Sequence, residues 1–450
     1  MAGRLDTDSL LLLHDALARL EQGFAGLPPV DSTPGDPAAL RDVLNQVAER
    51  LRDNYPYFHP QYAGQMLKPP HAVARLAYAL AMWINPNNHA LDGGRASSAM
   101  EKEAVADIAR MFGWDAHLGH LTSGGTMANL EALWIAGELN PGATVVASAQ
   151  AHYTHGRISA VLKLPFESVP TDARGRMDIA ALERRLEAGG VGTVVATLGT
   201  TAVGSVDPLA DILALRDRYG FRLHADCAYG GYYGLAENLA PATRSAFDRL
   251  ADADSIVVDP HKHGLQPYGC GCILFRDPAV GRHYRHDSPY TYFSSSELHL
   301  GEISLECSRP GAAAVALWAT QKLLPLVRGG EFARRLAECR AAALELHEFI
   351  ARDGRFIAAF EPELDIVVWA VRAGSAAESS ARAREIFAKA EKAGLNLALA
   401  ELPTEFFGDP WRAGGSVTAL RSVLMKPEHR AAIPRKTGLL DEVTGGRPRA

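Results

Sequence analysis

Cysteine is scarce in this sequence, with five in 450 residues. Only Cys270 and Cys272 stand close together, and no second cysteine or histidine pair lies at ligand spacing, which argues against a structural zinc. An odd, scattered set does not make a disulfide framework and fits a reducing cytoplasm. Long apolar runs are missing too. No stretch reaches the ~18 uncharged apolar residues of a membrane span, and the nearest candidate, 72–84, carries Arg75 in its middle. The formal net charge of −6 gives no support to a nucleic acid or a membrane surface as partner. The opening "MAGRLDTDSLLLLHDALARL" holds four consecutive leucines, but aspartates flank them and no small-residue cleavage site follows. It reads as an amphipathic helix, not a signal peptide.

What remains is an ordinary globular composition with a clear alternation of elements. Helical stretches at 99–113, 126–139, 178–188 and 207–219 interleave with strand-like runs at 144–149, 191–199, 221–228, 255–259 and 270–277. That pattern predicts a mostly parallel sheet with helices on both faces. From about residue 330 the pattern changes to a long helix (331–352), a strand (364–372), a helix (375–393) and strands near 395–401 and 416–424. The expected division is an N-terminal helical segment 1–60, a large domain 61–325 and a small α+β domain 326–450. Between 278 and 310 lies a long insertion of mixed polarity, which reads as an active-site loop.

The stretch "SIVVDPHKHG" (255–264) sets the chemical question. A buried strand ends at a proline, and Lys262 follows at the strand's carboxyl end, where open α/β sheets bind ligands. Three other segments occupy similar places. "TSGGTMAN" (122–129) leads a Gly-Gly turn into a helix, leaving backbone N–H groups of Gly124, Gly125 and Thr126 for an anion. Alone, such a loop is more often a plain capped turn. "AHYTHGR" (151–157) puts His152 at a strand exit, where an imidazole can stack on a flat ring or be an ordinary structural histidine. "LHADCAYGG" (223–231) ends a hydrophobic strand on Asp226, and a buried carboxylate needs a cationic or N–H partner. Together they are the parts that a pyridoxal phosphate site requires: a phosphate cradle, a ring-stacking group, a carboxylate for the pyridine nitrogen and an amine for the imine.

At this point the sequence resembles the group II pyridoxal-dependent amino-acid decarboxylases of fold type I. The resemblance runs from about Tyr55 to Met425 and rests on "TSGGTMANLEAL", "AHYTHGR", "VVATLGTTAVGSVDPL", "LHADCAYGG", "DPHKHG" and "TALRSVLMKP" in this order. It implies an aspartate aminotransferase-like α/β fold, with a mostly parallel seven-stranded sheet in the large domain and a smaller α+β domain. It implies pyridoxal 5'-phosphate bound as an imine on Lys262, His152 on the ring and Asp226 at its nitrogen. Ala228 would pack beneath the ring and Thr201 beside it. Gly124, Gly125, Thr126 and His261 would contact the phosphate, and Asp259 occupies the family's Asn/Asp position. The family fold is a homodimer with shared active sites, so Ser308 in "CSRPG" would reach the partner's phosphate. Thr126-Met127 replaces a common Ser-Glu, and His263-Gly264 follows the lysine where relatives carry an aromatic residue.

The resemblance implies decarboxylation of an L-amino acid to an amine, with a loop tyrosine returning the proton. The candidate loop offers Tyr290 and Tyr292; Tyr292, deeper in the segment, is the expected catalytic residue, with Tyr290 as the alternative and as a candidate substrate contact. Gln61, Tyr62 and Ala63 in "YPYFHPQYAGQM", Asn88 in "NPNNH" and the charge of Arg95 are candidate substrate contacts. Arg421 is similar to the carboxylate-gripping arginine of aminotransferases, which would favour transamination. A lyase, an aldehyde-forming deaminase or an aminotransferase is therefore the alternative on the same fold. A non-catalytic phosphate-binding module has no use for a reducible imine.

Overall fold

A computed structural model describes residues 5, 7–28, 35–285, 298–412 and 414–446. The large unit is built on seven strands: β1 (Leu118–Thr122), β2 (Thr144–Ser148), β3 (Phe166–Val169), β4 (Val191–Thr197), β5 (Arg222–Asp226), β6 (Ser255–Val258) and β7 (Gly271–Phe275). They pair in the order β1-β7-β6-β5-β4-β2-β3, with β7 antiparallel to both of its neighbours. The pairs from β6 through β3 are parallel. β2, β6 and β7 are buried along their whole length, as strands covered by helices on both faces must be. The helix Gly125–Leu139 packs on one face through Ala128, Ala132 and Ile135, against Val257, Ile273 and Phe275. On the other face Val105 and Ile108 join Leu223, Ala225 and Ile256 in the main core.

The order places the ligand crevice. From β2 the chain steps outward to β3 and then returns to the opposite side of β2 as β4. At such a reversal the two strands' following loops diverge and leave a gap at the carboxyl ends. The segments after β2, β4, β5 and β6 all emerge there.

The second unit is a four-stranded antiparallel sheet of β8 (Phe356–Ala358), β9 (Ile366–Val371), β10 (Ala398–Pro403) and β11 (Ser416–Val423), in the order β10-β11-β9-β8. Helices Glu331–Arg352, Ala376–Lys392 and His429–Val443 bury Leu346, Ile386 and Leu439 with Trp369 and Leu420 of the sheet. Residues 61–63 also belong to this unit by hydrogen bonding: Ala63 N–H donates to Asn396 O (2.9 Å), and Ala63 O accepts from Val423 N–H (2.8 Å). The proposed cut at 325/326 falls in the turn between helices Gly311–Leu323 and Glu331–Arg352.

The two N-terminal helices, Leu10–Gln22 and Pro37–Leu51, bury no residue. They expose Leu10, Leu11, Leu12, Leu40, Val43, Leu44 and Val47. Among the described residues no helix is long and apolar enough to cross a membrane.

Candidate active site

Lys262 sits in a turn fixed by backbone bonds on both sides. Asp259 N–H donates to Ala228 O (3.2 Å), His261 N–H to Cys270 O (3.1 Å) and Lys262 N–H to Asp259 O (2.9 Å). The lysine amine projects into a cavity of about 300 Å³, lined also by Gly124, Gly125, Thr126, His152, Thr201, Asp226, Ala228, Asp259 and His261. Lys262 Nζ lies 3.0 Å from Asp259 Oδ2. His261 Nδ1 donates to Cys270 O (2.7 Å), and burial pushes its imidazole pKa down. Its Nε2 lies 3.6 Å from Asp259 Oδ2.

Asp226 ends β5 with its side chain 4% exposed. Oδ1 accepts from Ala228 N–H (3.1 Å) and Oδ2 from His155 Nε2 (2.8 Å). Asn129 Nδ2 stands 3.5 Å from Oδ2. Burial by itself would raise the Asp226 carboxyl. The hydrogen bond from His155 heads the opposing effects, and together they hold it well below the usual carboxylate range. An anion is therefore kept at the cavity wall with a hydrogen-bonding site to spare.

His152 follows β2, and its Nδ1 pairs with Thr154 Oγ1 (2.8 Å), which fixes the ring at the start of helix Thr154–Leu162. Burial lowers its pKa, so the imidazole is neutral. Gly124 has φ +156° and carries no side-chain cap for the helix that begins at Gly125. A Cβ on Gly125 would meet Asp259 Oδ2 at 2.7 Å. Ser123 N–H donates to Glu306 Oε2 (2.9 Å) and Gly124 N–H to Thr122 Oγ1 (3.4 Å), so the N–H groups left for an anion are those of Gly125 and Thr126 at the helix N-terminus.

The remaining expected residues divide. Ser308 is exposed, accepts from Asn87 Nδ2 (3.1 Å) and does not line the cavity of its own chain. Asn88 is fully buried, its amide donating to Glu101 Oε2 (2.6 Å) and Ser97 O (3.3 Å). Tyr62 is buried, with Lys426 Nζ on its carbonyl (2.7 Å), and Gln61 receives Asn396 N–H on its own (3.1 Å). Neither lines the cavity or the adjoining cleft. Arg95 is exposed and also lines neither. Tyr290 and Tyr292 lie outside the described residues. Cys270 and Cys272 are buried free thiols, and among the described residues no cluster of metal ligands occurs.

That cleft, of about 560 Å³, shares His152 and Thr201 with the cavity and adds Met66, Leu67, Tyr153, Tyr268, Leu399 and Arg421. Arg421 donates to the carbonyls of Ala202 (2.8 Å), Thr201 (2.7 Å) and Gly64 (3.2 Å). Most of its donor capacity is committed to the main chain.

The structure also adds residues to the cavity wall that single motifs did not mark: Asn129, Thr154, Thr197, Gly199 and Tyr229. His155 stands behind Asp226. Its only sequence signal is a position three residues after His152, one helical turn on.

Residues 134–372, more than half of the chain, match the pyridoxal-dependent decarboxylase conserved domain. The chain belongs to the pyridoxal-dependent decarboxylase family. The matched stretch contains His152, Asp226 and Lys262, whereas the Gly124-Gly125 turn lies before it. Among relatives, an L-tyrosine decarboxylase of Levilactobacillus brevis is 28% identical over 64% of this chain and 62% of its own length. A probable L-tyrosine/L-aspartate decarboxylase of Methanopyrus kandleri is 29% identical over 68% of this chain and 80% of its own. This chain thus spans less than two thirds of the Levilactobacillus protein. Mouse CSAD in apo form superposes with a TM-score of 0.78 at 22% identity, covering 95% of this chain and 92% of that one. The Oryza sativa TDC solved with PLP and tryptamine gives 0.78 at 18% identity, covering 99% of each. These likenesses establish the shared fold, α/β of fold type I.

The family's cofactor is pyridoxal phosphate, and the cavity of this decarboxylase-family chain suits it. The donor set matches the group: an amine, a carboxylate held as an anion, a neutral imidazole and an uncapped helix start behind two glycines. Thr197 Oγ1, buried in the wall, has no partner among the described residues.

Proposed function

We propose that this protein decarboxylates an L-amino acid to its amine and carbon dioxide, with pyridoxal phosphate held in the cavity around Lys262. The observation that carries the reading is the meeting of Lys262, Asp226, His152 and the Gly124-Gly125 helix start in one 300 Å³ space. Bound there, the cofactor supplies a ring that accepts the electron pair left at Cα when the carboxylate departs. Lys262 would be the covalent attachment point, and Asp226 would keep a proton on the ring nitrogen. His152, neutral, would stack on the ring. Gly124, Gly125, Thr126 and His261 would hold the phosphate, with Ala228, Thr201 and Asp259 completing the wall. The walls set the orientation of the breaking Cα–carboxylate bond and limit water, which is the larger part of what a protein adds to such chemistry. The return of a proton to Cα is assigned to Tyr292, with Tyr290 beside it, on the family resemblance alone.

The substrate's side chain is assigned to the adjoining cleft. Its Met66, Leu67, Tyr153, Tyr268 and Leu399 suit a side chain with an apolar body, and relatives named L-tyrosine decarboxylase support that class. The main-chain bonds of Arg421 weigh against a carboxylate clamp and so against transamination. We further propose a homodimer in the cytoplasm. The exposed leucines of both N-terminal helices and the exposed Ser308 support a second copy of the chain, and five free cysteines support a reducing compartment.

The test is carbon dioxide release by the pyridoxal-phosphate-loaded protein against the common amino acids, with Lys262→Ala as blank. Release from one amino acid with one equivalent of amine and no ammonia is expected. Ammonia or a keto acid in place of carbon dioxide would overturn the reading.

A further inference from the structure

His155 is fully buried, and its Nε2 approaches Asp226 Oδ2 at 2.8 Å. Its other nitrogen, Nδ1, has no hydrogen-bond partner among the described residues. Nε2 is therefore the nitrogen that bears a proton toward the carboxylate, since an unpartnered buried N–H is costly. The second supply of donors runs through β5 and β6. His224 Nδ1 meets Ser255 Oγ (2.9 Å), and His224 Nε2 meets Asn129 Oδ1 (2.8 Å). Burial pushes His224 down to about 3, so it is neutral and holds one proton. With Ser255 donating to Nδ1, that proton faces Asn129, whose Oδ1 accepts it, and the amide Nδ2 is turned toward Asp226. The Asn129 contact is long at 3.5 Å, which leaves His155 as the principal side-chain donor to the carboxylate.

We propose that His155 is a positioning residue: its Nε2–H holds the Asp226 carboxylate, as an anion, for the pyridine nitrogen of the cofactor. The assignment rests on the reading of the cavity as a pyridoxal phosphate site. His155 does not line that cavity, so its effect passes through Asp226.

The experiment is a binding titration that needs no turnover. Apoprotein is titrated with pyridoxal phosphate and with its carbocyclic analogue, in which C–H replaces the ring nitrogen. The wild type is expected to prefer the nitrogen-bearing cofactor by about tenfold or more, the scale of one hydrogen bond to a charged group. His155→Phe is expected to lose most of that preference while binding the analogue nearly as the wild type does. His155→Gln, which retains a donor amide, is expected to recover part of it. Equal weakening of both ligands would make His155 a packing residue only and overturn the proposal, as would an unchanged preference. If the phenylalanine variant does not fold, His155→Leu, which also lacks a donor, takes its place, and a wild-type preference in it overturns the proposal. A wild-type protein that borohydride cannot link to pyridoxal phosphate would overturn the cofactor site itself, and this proposal with it.

Discussion

Lys262 and Asp259 form an ion pair at 3.0 Å with Asp259 almost wholly buried. The same carboxylate packs against Gly125, so one acidic side chain fixes both the amine and the start of the anion cradle. The lysine and the glycine turn lie far apart in the chain and are registered to each other through Asp259.

Gly125→Ala tests that registration. The added methyl would sit 2.7 Å from Asp259 Oδ2 and must push the carboxylate or the helix start aside. Overpacking of this kind costs about 1–3 kcal/mol. Cofactor affinity, read by absorbance titration, is expected to fall about tenfold or more. Thr126→Ala, which removes a hydroxyl without a clash, is expected to lose less.

Asp226→Asn replaces the anion by a neutral amide of equal size. Decarboxylation is expected to slow by about a hundredfold, the lower range for loss of a positioned proton-holding group. The fall should appear in kcat, measured with saturating cofactor. A variant with full kcat would remove Asp226 from the ring-nitrogen role.

Arg421→Met leaves the carbonyls of Gly64, Thr201 and Ala202 without their guanidinium donor. Only the bond to Gly64 is fully buried, the other two being part-buried; an unpaired buried group costs about 1–3 kcal/mol, so a drop in thermal stability of that order is expected. If the apoprotein melts as the wild type does while KM rises sharply, the arginine is a substrate clamp instead.

Two buried lysines set an alkaline trend. Lys426 Nζ donates to Tyr62 O (2.7 Å) and Lys436 Nζ to Pro60 O (2.5 Å), and neither has a carboxylate partner among the described residues. Burial lowers each from the ordinary 10.5 to about 7. Between those values the unfolded chain binds more protons than the folded one, so these groups make stability rise with pH. The penalty is full below about pH 7 and gone above the unfolded value. The slope is at most about 1.4 kcal/mol per pH unit for each lysine. Lys436→Met is expected to flatten the rise between about pH 7 and about pH 9 in denaturant unfolding, relative to the wild type. Parallel curves for the two proteins would refute it.

The expected strands at 144–149, 191–199, 221–228, 255–259 and 270–277 are all present, within a few residues at their ends. β1 and β3 escaped the pattern. "LGHLT" and "FESV" are short, and neither is an unbroken apolar run. β8 is only three residues long, and helix His429–Val443 contains Pro434, which breaks the expected signal.

Sequence by itself determined the alternation of elements and the family and marked the candidate site residues, because strand exits carry their chemistry in short, ordered motifs. Tertiary structure decided which groups share a space. It turned Asn88 and Tyr62 into buried structural residues and tied Arg421 to three carbonyls. It also brought His155, from the helix after β2, against Asp226 at the end of β5. Hydrogen-bond partners across a sheet depend on strand order and register, and a local pattern carries neither.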